Sequence, residues 1–164
     1  MRVNIETSVG AIVLELDTEL APISAENFLA YADAGDYDGT IFHRVIDGFM
    51  IQCGAFEPDM NQREGSRGGI KNEWENGLSN TRGTVAMARL GNQPDSATNQ
   101  FFFNVSDNDF LDQPRDGAGY AVFGKVVEGL DIMDAIKGVA TTTKAGHGDV
   151  PVEPVTINSV KRAD

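Results

Sequence analysis

Cysteine is almost absent from this sequence: Cys53 is the single one in 164 residues. No intrachain disulfide can form, which suits a reducing compartment. Histidine is scarce too. His43 and His147 stand far apart with no ligand spacing around them, and no metal-site motif occurs. Basic residues are outnumbered, 13 against 25 acidic ones, giving a net charge of −12. That balance argues against nucleic acid and against an anionic membrane surface as partners, since both attract cationic proteins. Apolar runs fall far short of the ~20 residues a membrane helix needs. Residues 1–7 lack the apolar stretch of a signal peptide, and residues 2–6 already alternate like a strand. The expected location is therefore the cytoplasm. No Gly-Xaa-Ser-Xaa-Gly elbow is present, Cys53 has no histidine near it in sequence, and no carboxylate pair stands out. Nothing here calls for covalent catalysis, a metal or a cofactor.

What is present is enough chain for one domain, residues 1–164, with a real core. Val3 and Ile5 alternate with Asn4 and Glu6, then Ile12, Leu14 and Leu16 with Val13 and Glu15, and this predicts two paired strands. Pro22 suits a first helical position and Gly35 a C-terminal stop, so residues 22–34 read as a helix. Residues 57–82 are a long polar stretch. Its Gly65-Ser66-Arg67-Gly68-Gly69 lacks the ending of a phosphate cradle, so a flexible surface loop is expected. Strands follow at 84–88 and 100–105. A helical turn at 107–111 is capped by Ser106 or Asp107. Another strand is expected at 120–127. Glycines bracket a second helix at 129–138, with Leu130, Met133 and Ile136 on one face. Residues 141–154 read as polar connection and 155–161 as a strand. About eight short strands and two helices make the chain mainly β, a barrel or a sandwich.

The centre of the sequence is Phe42-His43-Arg44-Val45-Ile46-Asp47-Gly48-Phe49-Met50-Ile51-Gln52. It reads as two strands around an Asp-Gly turn. Strand alternation places Phe42, Arg44 and Ile46 on one face. An arginine in so apolar a run is either an edge residue with its head in water or a fixed cation in a partly dry pocket.

This stretch resembles the signature of the cyclophilin family of peptidyl-prolyl cis-trans isomerases. Further matches follow in order: Thr81-Arg82-Gly83-Thr84-Val85-Ala86-Met87-Ala88, Ser96-Ala97-Thr98-Asn99-Gln100-Phe101-Phe102, and Val122-Phe123-Gly124-Lys125-Val126. The resemblance covers nearly the whole chain and is nearest to the short bacterial members. It implies a closed eight-stranded antiparallel β-barrel, packed inside, with a helix covering each open end and ligand on an outer face. It implies isomerisation of Xaa-Pro bonds without a cofactor, with Arg44 as the donor to the twisted amide. Phe49, Met50, Phe102 and Leu111 would line the proline pocket. Gln52 would bond substrate and help hold the arginine, with Gln100 flanking. Ala88, Arg89 and Leu90 would pair with the peptide backbone, and His43 would be structural. The expected partners are proline-containing peptides and unfolded proteins, and the expected state is a monomer.

Some positions depart from the eukaryotic pattern. Arg89 replaces Asn, Phe110 replaces Trp and Tyr120 replaces His, all at the rim of the substrate site. Without an indole donor at Phe110, cyclosporin binding is expected to be weak. Cys53 stands where the family usually has Gly, where it either crowds the strand and shifts Gln52 or is a benign small residue. A binding module on the same scaffold, with incidental catalysis, is the rival reading.

Overall fold

Alternation decides the first two elements. In the computed structural model, which describes residues 1–114 and 116–163, β1 (Arg2–Thr7) and β2 (Ala11–Leu16) form an antiparallel hairpin. Val3 lies opposite Leu14 and Ile5 opposite Ile12, and all four are fully buried. The turn is held by Thr7, whose Oγ1 accepts the Val9 and Gly10 N–H groups at 3.1 Å.

Helix α1 (Pro22–Asp33) starts on proline as expected, but no local side chain caps it. The Glu73 carboxylate does so from 50 residues away, accepting the Ser24 N–H at 2.7 Å and the Ile23 N–H at 3.2 Å. The long loop is thereby stapled to the helix. Tyr31 Oη adds to this, donating to the Arg67 carbonyl and accepting the Arg67 N–H, both at 3.1 Å. Asn72 and Asn76 reach the Gly119 and Val122 carbonyls. The expected flexible loop is thus exposed at Gly68 and Gly69 but pinned along its length.

The remaining strands are β3 (Ile41–Ile46), β4 (Met50–Phe56), β5 (Thr84–Met87), β6 (Phe101–Asn104), β7 (Val122–Glu128), β8 (Thr141–Lys144), β9 (His147–Pro151) and β10 (Ile157–Arg162). Eight of them form one antiparallel sheet in the order β10-β1-β2-β7-β5-β6-β4-β3. The sheet curls, yet it is not the closed barrel expected. Its edge strands β3 and β10 share no ladder. One isolated bridge, Ile41 with Thr156, joins the two sides, beside the bonds Phe42 N–H to Val155 O and Ile157 N–H to Thr40 O. Register slips on either side of Phe42 interrupt the β3–β4 ladder next to this seam. The hairpin β8–β9 packs beside β3, where the sequence reading had only polar connection.

Inside the curl lies a packed core. Phe28 of α1 sits within 5.4 Å of the rings of Tyr37, Phe101 and Phe123, the Phe101 contact being edge-to-face. Helix α2 (Leu130–Lys137) packs on β2, β3 and β4 and buries Met133 and Ile136. Leu130, expected on the same face, is exposed at the helix start. The expected helical turn is a single 3₁₀ turn, Asp109–Asp112, preceded by Asn108 and without a side-chain cap. Among the described residues no helix is long and apolar enough to cross a membrane.

Candidate active site

The outer face of the curled sheet carries a second apolar cluster, separate from the core. Met50, Ala86, Phe102, Leu111 and Val122 are buried in it, with Ile46, Phe49, Leu78, Ala88 and Tyr120 packed partly buried around them. Strand register explains the gathering. Arg44 pairs with Gln52, Gln52 with Phe102, Phe102 with Ala86, and Ala86 with Val122. Side chains at paired positions share a face, so these five form a row across β3, β4, β6, β5 and β7. Neighbouring strands lie ~4.8 Å apart, so Arg44 and Phe102 are about 10 Å apart at the backbone, within reach of one proline residue.

The row exists because β3 is bulged. Unbroken alternation would put Phe42 and Arg44 together. Instead His43 is an extra residue between the pairs Phe42–Cys53 and Arg44–Gln52. Phe42 turns into the core, and Arg44 and Ile46 turn out. His43 itself is buried, its ring 4.2 Å from that of Phe56. Burial, with His147 and Arg44 nearby, lowers its pKa to about 4, so it is neutral at pH 7.

The Arg44 side chain is exposed and, among the described residues, makes no hydrogen bond or ion pair. Of the two readings of Arg44, the free protein has the edge residue with its head in water. The Gln52 Nε2 donates to Gln100 Oε1 at 2.8 Å, so the two glutamines hold each other. The turn after β3 has three residues, Asp47-Gly48-Phe49, with Gly48 at φ +80° and Phe49 N–H bonded to Ile46 O at 3.0 Å. Phe49 therefore stands on the turn, where its ring stacks 5.8 Å from that of Phe110. Below them Met50, Phe102 and Leu111 make a nearly closed floor, at 2%, 4% and 5% exposure. The site is a shallow apolar shelf beside a free cation. A cavity of about 480 Å³ lies elsewhere, between Glu15–Glu19 and the 77–84 loop, and shares only Leu78 and Val122 with the shelf.

Ala88 packs on the cluster, and its N–H is bonded to Gln100 O at 3.1 Å. Leu90 stands outside the cluster, 60% exposed, with its N–H taken by Ser96 Oγ. The backbone groups of Arg89 are unbonded among the described residues, which leaves that one residue able to pair with an extended peptide. The Arg89 side chain does not face this path. It is 2% exposed and turned toward Asp116 and Tyr120.

Four polar residues that the sequence reading missed brace the shelf. Asn108 Nδ2 donates to the Phe49 carbonyl and to Asn104 Oδ1. Asn104 Nδ2 reaches Asn80 Oδ1 and Thr84 Oγ1. Asn80 Nδ2 bonds Asp112 Oδ1 and the Tyr120 carbonyl, and Asp112 also accepts from Ser79 Oγ. Their signal was an amide, Asn104, closing a run of three phenylalanines. A buried amide needs partners.

A curled antiparallel sheet with a shallow outer shelf and one unpaired arginine suits a protein that holds an apolar ring and acts on a neutral group beside it. Comparisons with known proteins make this specific. Residues 2–162 match the family model described as cyclophilin-type peptidyl-prolyl cis-trans isomerase. A peptidyl-prolyl cis-trans isomerase of Streptomyces antibioticus is 58% identical, over 97% of this chain and 96% of that protein. Peptidyl-prolyl cis-trans isomerase B of Escherichia coli is 53% identical, over 96% and 97%. Among solved structures, a Cryptosporidium parvum cyclophilin-type isomerase crystallised in the presence of the dipeptide Ala-Pro superposes with a TM-score of 0.85 at 27% identity. It covers 100% of this chain and 99% of its own. The chain belongs to the cyclophilin-type peptidyl-prolyl cis-trans isomerases, and its reaction is rotation about Xaa-Pro bonds.

Proposed function

We propose that rotation is catalysed on the outer shelf, with the proline ring on Phe49, Met50, Phe102 and Leu111 and the Arg44 guanidinium at the prolyl amide. The observation that carries this is the register row, which sets an unpaired arginine beside an apolar floor. The barrier is amide resonance, about 18–20 kcal/mol, and uncatalysed exchange takes about 10–100 s. A turnover of about 10 per second needs roughly 10²–10³-fold acceleration, or about 3–4 kcal/mol. As the bond twists, the prolyl nitrogen loses conjugation and regains a lone pair. A donor at that nitrogen stabilises the twisted state over both planar ones. A charge-assisted hydrogen bond supplies about 1.5–3 kcal/mol, and arginine keeps its charge at every working pH.

The exposure of Arg44 in the free protein fits this role. A peptide laid on the shelf would displace water from the guanidinium and strengthen its bond to the amide. Gln52 and Gln100 offer a polar edge to the peptide, and the Arg89 backbone offers one residue of strand-like pairing. Phe110 and Tyr120 bound the shelf on the rim. The substrates are proline-containing peptides and unfolded or loop segments, met as a monomer in the cytoplasm. The Ala-Pro dipeptide used with the Cryptosporidium relative supports that class. Cyclosporin should bind weakly, because Phe110 has no N–H. Titration of the wild type and of Phe110→Trp should show tighter binding by the variant, and nanomolar affinity of the wild type would count against the reading.

Exchange between cis and trans Xaa-Pro peptide, followed by NMR, tests the mechanism. Arg44→Ala should slow it at least ~tenfold, a loss of about 1.4 kcal/mol or more. Equal rates in wild type and variant would remove Arg44 from the reaction. Binding without exchange in either would indicate a peptide-binding module.

A further inference from the structure

Arg89 lies next to the substrate path, but its side chain is spent on the protein. All five of its N–H donors are used. Nε donates to Gly119 O at 3.1 Å, Nη1 to Leu90 O at 3.1 Å and Asp116 Oδ2 at 3.0 Å, and Nη2 to Asp116 Oδ1 at 2.7 Å and Ala118 O at 2.9 Å. Its Cζ lies 4.6 Å from the centroid of the Tyr120 ring. Asp116 also accepts the Asn92 N–H. One guanidinium thus ties three pieces of chain: its own segment through Leu90, the Asn92 turn through Asp116, and the 116–120 loop through four acceptor oxygens on Asp116, Ala118 and Gly119. The Tyr120 ring also packs on the shelf, its centroid 5.9 Å from that of Phe102 with the two rings at 76°.

We infer that Arg89 is a positioning residue, a latch that fixes Tyr120 as one wall of the proline shelf and so sets how tightly the substrate ring is held. The proposal rests on the reading of the shelf as the proline site. A wall built on a loop is only as well placed as the loop's anchor, and 116–120 contributes no strand. Its carbonyls at Ala118 and Gly119 point at a fork whose plane and spacing no lysine reproduces. A lysine keeps the charge but gathers three donors at one point, so it cannot span Asp116 and both carbonyls as the fork does, and it loses the guanidinium placed over the Tyr120 ring. The Asp116 carboxyl is held down to about pKa 2 by Arg89 and the Asn92 N–H, so the pair stays charged through neutral and mildly acid pH.

The test is a cycle of four proteins: wild type, Arg89→Lys, Tyr120→Ala and the double variant. Each is assayed for kcat and KM on one Xaa-Pro peptide and for thermal stability. Arg89→Lys should lower kcat/KM about fivefold or more, with the larger part of the loss in KM. In the Tyr120→Ala background the same change should alter KM by less than about 1.5-fold, because the wall it positions is gone. Equal losses in both backgrounds, or an unchanged KM with lower Tm, overturn the proposal and leave Arg89 a merely structural residue. If Arg89→Lys does not fold, Asp116→Asn, which keeps shape and removes the charged acceptor, enters the cycle in its place with the same outcomes. Arg44→Ala is run alongside. If it leaves exchange fast, the reading of the shelf fails. If it abolishes exchange while the cycle is additive, only the latch fails.

Discussion

Cys53 lies between Phe42 on β3 and Phe101 on β6, wholly buried, with its thiol 3.8 Å from the Phe101 carbonyl. Burial pushes its pKa well up, so it stays a thiol. The side chain points into the core and Gln52 points out, so the sulfur occupies space on the opposite side of the strand from the shelf. The glycine this strand requires is the next one. Gly54 has φ +108°, and a Cβ there would meet the Asn99 carbonyl at 2.7 Å. Cys53→Gly should therefore leave exchange within about twofold while costing about 1–2 kcal/mol of stability through lost packing and added chain entropy. Rates by NMR and midpoints in urea check both parts, and a several-fold faster variant would show that the sulfur does displace Gln52. Arg44 is conspicuous in the sequence as a charge inside an apolar run, while its expected role rests on the family resemblance. The contacts of the Arg89 side chain were not legible, since its partner Asp116 is 27 residues away and no periodicity joins them.

At the scale of elements, the strands that alternate were legible and the features that break alternation were not. The bulge at His43 moves Arg44 to the face opposite Phe42, and nothing in a period-two pattern announces an extra residue. The β8–β9 hairpin escaped for another reason. Thr141 to Thr143 are all exposed, so there is no apolar face to read, and the turn is made by Ala145 and Gly146 at φ +50° and +81° rather than by Asn-Gly. The asparagine braces join β6 and the 3₁₀ turn to the Phe49 turn, 59 residues from Asn108, and to Asn80, 24 residues from Asn104. Buried amides that satisfy one another are coupled, because removing one strands its partners. Asn108→Ala and Asn104→Ala should each cost about 1–3 kcal/mol, and the pair less than the sum by about 0.5–3 kcal/mol. Urea denaturation of the four proteins gives the coupling, and strict additivity would show that the two side chains act independently.

At the scale of the whole molecule, pH acts on stability through His43. Its native pKa of about 4 lies below its ordinary 6.5. As pH falls below about 6.5 the unfolded chain takes up a proton that the native chain refuses, so stability declines until about pH 4 and that contribution then levels off. The full effect is about 3 kcal/mol. His43→Phe should flatten that limb in denaturation midpoints measured from pH 7 to 4, and an unchanged slope would assign it to other groups. The Arg89–Asp116 pair keeps its charges through that window, so peptide KM should not track the decline in stability. The order of strands has a consequence of a different kind. β1 is an interior strand, with Val3 opposite Leu14 on one side and Arg162 on the other. Residues made first during translation therefore wait for residues 157–162 before their second neighbour exists. Until those residues leave the ribosome the sheet is unfinished, with β1 as an open edge. Nascent chains stalled with residues 1–156 outside the tunnel should be cut readily by protease, and chains exposing residues 1–163 should resist.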